Sequence, residues 1–302
     1  MNNFIKITHL TINSMDNILL PSMLYTSKKI NNTLAIFIHG AGSSSIVRRP
    51  ALTNNLALSL NKKNIDFLTF NNRGAGYMTK FDNTNGTTYL GGMAFERISD
   101  FHYDICGIIS WAKKKGYNKI LLIGHSTGAN KIVYELSHYK QPLIVGTCLI
   151  GGGDDITLQR GRYSDFEISQ LEKKIDNATK NAKGKELVSQ GVFKGEHPMS
   201  WDSLKEIITP NSDYDMFPFA RYDKENVKKS FQGISKIVVP TLIMYGSNDF
   251  GTIIPPKDAI KLLKSINDKF SVHLFYRADH NLTGRERDLS ACIAEWFFNL
   301  EI

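Results

Sequence analysis

A chain of 302 residues, 42% hydrophobic and 22% charged, is long enough to bury a substantial core, and its composition is that of an ordinary soluble globular protein. Its formal net charge of +8 is dispersed over single lysines and short runs, the longest being Lys113-Lys114-Lys115, which describes a solvated surface and excludes a basic nucleic-acid-binding tail. Three cysteines, Cys106, Cys148 and Cys292, odd in number and widely spaced among apolar residues, exclude a disulfide framework and a zinc site.

No apolar stretch approaches the roughly 18 residues of a membrane span, and residues 1–6 show no apolar leader. The expected location is therefore the cytoplasm. Residues 4–12 alternate in polarity and, after a polar turn at 14–17, residues 18–26 follow as the second arm of an antiparallel pair. Residues 34–38 form an unbroken apolar run ending in His39-Gly40-Ala41-Gly42, the pattern of a central strand buried on both faces. Residues 50–60 predict a helix, 65–70 a strand, and 97–115 a helix with apolar residues at Ile98, Phe101, Ile105, Ile108 and Ala112, stopped by Gly116. Strands are expected at 119–123 and 143–150, with a helix at 129–138 between them.

The rhythm breaks over residues 154–235, a polar, mostly helical stretch in which basic and acidic residues nearly cancel. It is too long for a loop inside a compact domain and predicts an inserted cap. Trp201, Tyr214, Phe217 and Phe219 either line an apolar acyl site there or, the favoured reading, hold the cap to its base. Alternation resumes with a strand at 238–245, a helix at 257–266, a strand at 270–276 and a closing helix at 287–300. The expected organisation is an α/β core over 1–153 and 236–302 with helices on both faces of a mostly parallel sheet, and a helical cap over 154–235.

Gly124-His125-Ser126-Thr127-Gly128 fits G-x-S-x-G and lies directly after a predicted strand and before a predicted helix. A strained turn of this kind lifts the Ser126 hydroxyl clear of the sheet, and the flanking glycines let the backbone approach closely. A hydroxyl needs a base to take its proton, and His280, just after the strand at 270–276, is the best placed. His273 lies inside that strand, His197 in the cap, and His125 packs beside the turn. The acid that orients the imidazole is expected to be Asp249, after the strand at 238–245; Asp154, Asp155 and Asp279 are the rivals. The oxyanion donors are the Thr127 N–H, at a helix N-terminus, and the Ala41 N–H, with Gly42 as its neighbouring alternative.

These residues, with Asn72-Arg73-Gly74-Ala75-Gly76, occur in an order that resembles the α/β-hydrolase superfamily over nearly the whole chain. The resemblance implies an eight-stranded, mostly parallel sheet with a cap inserted after the sixth strand. It also implies ester hydrolysis through an acyl-enzyme, with no metal and no organic cofactor. Thr127 and Asn281 resemble a subgroup that includes siderophore-ester hydrolases. The sequence departs from the family's D-x-R-G-x-G at Asn71, a change expected to alter one local hydrogen bond. The bare Gly151-Gly152-Gly153 is expected to leave room beside the nucleophile. The expected partner is a small acyl substrate, with neither nucleic acid nor membrane; thioester cleavage, amide cleavage and acyl transfer share the same chemistry, and a non-catalytic binding role is the remaining class.

Overall fold

A computed structural model describes residues 5–27 and 31–300. Phe4, the first residue of the expected opening strand, lies outside them, as does most of the N-terminal stretch searched for a leader. The chain opens with β1 (Lys6–Asn13), β2 (Leu19–Thr26) and β3 (Thr33–Ile38), followed by α1 (Pro50–Lys62), β4 (Asp66–Phe70), a small hairpin of β5 (Thr79–Asp82) and β6 (Thr88–Gly91), and α2 (Phe101–Lys114). Then come β7 (Lys119–His125), α3 (Thr127–His138) and β8 (Ile144–Ile150). Residues between β8 and β9 hold α4 (Asp155–Arg160), α5 (Asp165–Lys180), α6 (Trp201–Ile208) and two single turns, α7 (Val227–Ser230) and α8 (Gln232–Ser235). The chain closes with β9 (Thr241–Gly246), α9 (Pro256–Ile266), β10 (Ser271–Phe275) and α10 (Glu286–Phe298).

Eight strands form one sheet in the order β1-β2-β4-β3-β7-β8-β9-β10. β1 and β2 pair antiparallel, β2 meets β4 antiparallel, and every pair from β4 to β10 is parallel. The apolar runs are explained by burial on both faces. In β3, Leu34, Ile36 and Ile38 enter one core and Ala35 and Phe37 the other; β7 divides Ile120 and Leu122 from Leu121 and Ile123 in the same way. α1 and α10 cover one face with Leu52, Leu56, Leu60, Leu289, Ile293 and Phe297. α2, α3 and α9 cover the other, and there Leu171, Leu204, Phe217 and Phe231 of the 154–235 segment continue the same core. That segment is therefore packed into the domain rather than standing apart from it.

The hairpin was not foreseen. Its marker is Asn85-Gly86 at the turn, where Gly86 takes φ 81, a conformation glycine adopts without steric cost. Phe81 anchors it in the core. The three cysteines are free thiols, Cys148 buried and the other two half-buried. Among the described residues no helix is long and apolar enough to cross a membrane.

Candidate active site

The C-terminal ends of β3, β7, β8, β9 and β10 converge on one point of the sheet edge, because parallel strands bring all their carboxyl ends to one side. Ser126 stands there at the tip of the β7–α3 turn with φ 57 and ψ −128, a conformation that costs a non-glycine residue on the order of 1–3 kcal/mol. Close packing holds it. A Cβ at Gly124 would meet the Gly128 carbonyl oxygen at 2.5 Å, and one at Gly128 would meet the Ile38 carbonyl oxygen at 2.2 Å, so neither position admits a side chain.

His280, in the loop after β10, places Nε2 3.0 Å from Ser126 Oγ. Its Nδ1 lies 2.8 Å from Asp249 Oδ1, which also accepts the Gly251 N–H at 2.8 Å. The Asp249 side chain is 1% exposed and that of His280 13%. The three residues assigned from sequence as nucleophile, base and acid thus form one hydrogen-bonded chain. On its other side, the ring of His125 makes a 3.0 Å contact through Nε2 with the His280 carbonyl oxygen, and burial keeps it well below the usual histidine range and hence neutral. A neutral ring adds no charge beside the base.

The rival carboxylates are occupied or elsewhere. Asp154 caps α4 by accepting from Thr157 and is bound by Arg221 at 2.7 Å. Asp279 accepts from the Thr283 backbone and hydroxyl, on the surface. Asp155 does not touch His280, yet burial, reinforced by Asp154 and Asp249 and opposed by His280, pushes its carboxyl up to about 7. His273 is exposed on β10.

The Ala41 and Thr127 backbone N–H groups have no acceptor among the described residues. Ala41 lies in the turn beyond β3, and Gly40 packs so closely that a Cβ there would fall 2.9 Å from that of Ser126. Two cavities adjoin this point. One, of about 500 Å³, is lined by Ser126, His280, Asn281, Arg48 and Arg49. The other, of about 210 Å³, starts at Ala41 and Thr127 and runs under α4 and α6 past Asp155, Gln159 and Tyr214. Arg49 was not singled out from sequence; it takes φ 58, donates to the Asn281 carbonyl, and leaves Nη1 buried without a hydrogen-bond partner among the described residues. A lone arginine before a helix carries no signal for this.

The glycine and asparagine positions carried two expectations. Gly151-Gly152-Gly153 leaves no empty room. A Cβ at Gly151 would sit 3.1 Å from Asp249 Oδ2, and one at Gly152 2.6 Å from the Phe217 ring, so these glycines let the acid and the 154–235 segment close in. Asn71 Oδ1 accepts the Ser44 hydroxyl at 2.8 Å and the Ser45 N–H at 3.1 Å, two bonds that an aspartate oxygen would accept equally. Arg73 of the same motif is structural, buried between Asp104 and Asp16 at 2.8 and 2.9 Å. Phe217 and Phe219 stack at 5.7 Å inside the core, whereas Tyr214 lines the smaller cavity.

Three solved structures show the same fold. The chain aligns with an esterase, Pf2001, of Pyrococcus furiosus at 15% identity over 97% of this chain and 92% of that one, with a TM-score of 0.55. It aligns with Est1E of Butyrivibrio proteoclasticus, solved with ferulic acid bound, at 14% identity over 95% and 97%, with a TM-score of 0.62. It aligns with the siderophore hydrolase EstB of Aspergillus fumigatus at 15% identity over 92% and 94%, also with a TM-score of 0.62. No curated protein matches the sequence. A family model described as "Protein of unknown function (DUF1749)" matches residues 100–294, the span that carries the Ser126 turn, Asp249 and His280. The chain belongs to that family, and its fold is that of the α/β-hydrolases.

Proposed function

We propose that the protein is a serine hydrolase that cleaves carboxylic esters through an acyl-enzyme on Ser126. The observation that carries this reading is the strained Ser126 held 3.0 Å from His280 Nε2, with Asp249 behind the imidazole. His280 takes the Ser126 proton as Oγ attacks the carbonyl carbon. The carbonyl oxygen becomes an oxyanion, bound by the unpartnered Ala41 and Thr127 N–H groups. His280 then gives its proton to the leaving alcohol, so the alcohol must occupy the cavity that His280 lines, and the acyl group the cavity that opens at Thr127. Asp249 stabilises the imidazolium formed in between. Water, deprotonated by His280, attacks the acyl-enzyme, and Ser126 leaves with the proton returned.

Residues 154–235 act as the cap in this reading, since Asp155, Gln159 and Tyr214 wall the smaller cavity. Resemblance in fold to two esterases and a siderophore hydrolase supports an ester substrate. The test is turnover of short p-nitrophenyl esters by the protein and by Ser126→Ala, with fluorophosphonate labelling read by mass spectrometry. Loss of turnover and of the label in Ser126→Ala is expected. Equal turnover, or a label on another residue, would falsify the assignment.

A further inference from the structure

The smaller cavity contains more hydrogen-bond acceptors than the protein satisfies. Gln159 Oε1 is buried with no donor among the described residues. Thr127, 5% exposed, buries its Oγ1 on the same wall, with the Tyr214 side chain as its polar neighbour. The Asp155 carboxylate has one polar contact, the Asn130 amide at 3.5 Å. A buried acceptor left unmatched costs about 1–3 kcal/mol, so the orphaned Gln159 oxygen beside a carboxylate with one long contact indicates a ligand that donates.

The charges give the sign of that ligand. Glu96, on the wall, is already paired with Lys131, and Glu196 and Arg162, which also line the cavity, are exposed. Arg162 turns outward, donating to the Lys194 carbonyl at 3.3 Å. Among the described residues Asp155 is the remaining acid lining the cavity, and it has no ion-pair partner there. Burial, with Asp154 and Asp249 nearby, pushes its carboxyl up to about 7 against the opposing His280.

Resting on the assignment of Ser126 as nucleophile, we propose that this cavity is the acyl subsite for esters whose acyl group carries an ammonium, with Asp155 as its counter-ion and Gln159 and Thr127 Oγ1 accepting its remaining protons. A cavity of about 210 Å³ takes an acyl chain of a few carbons, not a fatty acyl tail. Ion pairing with the buried Asp155 carboxylate distinguishes this substrate class from neutral acyl esters of the same shape.

The experiment uses matched esters. Ethyl esters of alanine, lactate and isobutyrate share one shape and differ in ammonium, hydroxyl and methyl; p-nitrophenyl 6-aminohexanoate and heptanoate repeat the comparison at the chain end. Each kcat/KM is divided by the ester's own hydroxide rate constant, which removes the inductive effect of the ammonium. The cationic member of at least one set is expected to lead by about tenfold or more, mainly through KM, as for a charge-assisted hydrogen bond. Asp155→Asn should reduce that lead to near unity, and Gln159→Leu should lower it as a second, independent variant. A normalised rate equal across the sets, or a lead that survives both substitutions, overturns the subsite while leaving the nucleophile intact. Absence of both turnover and fluorophosphonate labelling overturns the nucleophile and the subsite with it.

Discussion

Asp249→Asn separates the charge of the acid from its geometry. The substitution keeps the shape of a side chain that is 1% exposed. Oδ1 accepts from both His280 Nδ1 and Gly251 N–H, each at 2.8 Å, while Oδ2 is buried with no hydrogen-bond partner among the described residues. The asparagine therefore retains its carbonyl at the Oδ1 position, where two donors meet it, and puts its NH₂ at the empty Oδ2 position. The imidazole keeps its tautomer, but the imidazolium of the transition state loses its counter-charge. A unit charge pair at about 4 Å and an effective dielectric of about 20 is worth about 4 kcal/mol, so kcat should fall by about three orders of magnitude. The unpaired buried NH₂ adds a folding cost of about 1–3 kcal/mol, read by urea unfolding. Steady-state turnover of a p-nitrophenyl ester, measured with protein confirmed folded by circular dichroism, is the assay. A fall in kcat of less than about tenfold would refute the role of the Asp249 charge.

Three further outcomes follow from the same geometry. Ser126→Gly should be more stable than Ser126→Ala by about 1 kcal/mol, because both lack the hydroxyl and only glycine accepts φ 57, ψ −128 without strain; equal thermal midpoints would show that the turn stores none. Gly128→Ala should cost about 1–3 kcal/mol or more in urea and lower kcat as well, since its Cβ, 2.2 Å from the Ile38 carbonyl oxygen, must push the β3 loop that carries Ala41 away from Thr127; wild-type values of both would contradict the contact. The Asp155 carboxyl, raised from 3.8 to about 7, keeps its proton in the folded state where the unfolded chain has lost it, so it destabilises the fold increasingly as pH rises from about 4 to 7. Asp155→Asn should therefore gain stability relative to the parent across that window, by no more than about 4 kcal/mol, and the gain should level off above pH 7; a difference flat with pH would refute the shift.

Much of this architecture was legible in the chain. The runs at 34–38, 119–123 and 143–150 became β3, β7 and β8 because a strand covered on both faces must be apolar throughout, and that requirement shows in any window of five residues. The β5–β6 hairpin escaped notice because its strands are four residues each and half-exposed, leaving Asn85-Gly86 as the one marker. Within the candidate site, Ser126, Asp249 and His280 were legible from their places after successive strands. Arg49 was not, because its buried Nη1 arises from a loop meeting Asn281, 232 residues away.

What the sequence by itself determined is local: which segments extend or coil, where the tight turn at Ser126 falls, and the order in which the polar residues follow strand ends. Those features depend on neighbours within a few residues, through backbone sterics and the period of apolar side chains. Only the tertiary structure decided which surfaces meet. It set β4 between β2 and β3, brought His280 to Ser126 across 154 residues, and used Gly151 and Gly152 to admit Asp249 and Phe217 instead of leaving space. It also left Asp155, with the Asn130 amide as its one polar contact among the described residues, and the orphaned Gln159 oxygen facing one cavity. Burial and partnership of a polar group are properties of the packed whole, and no local pattern encodes them.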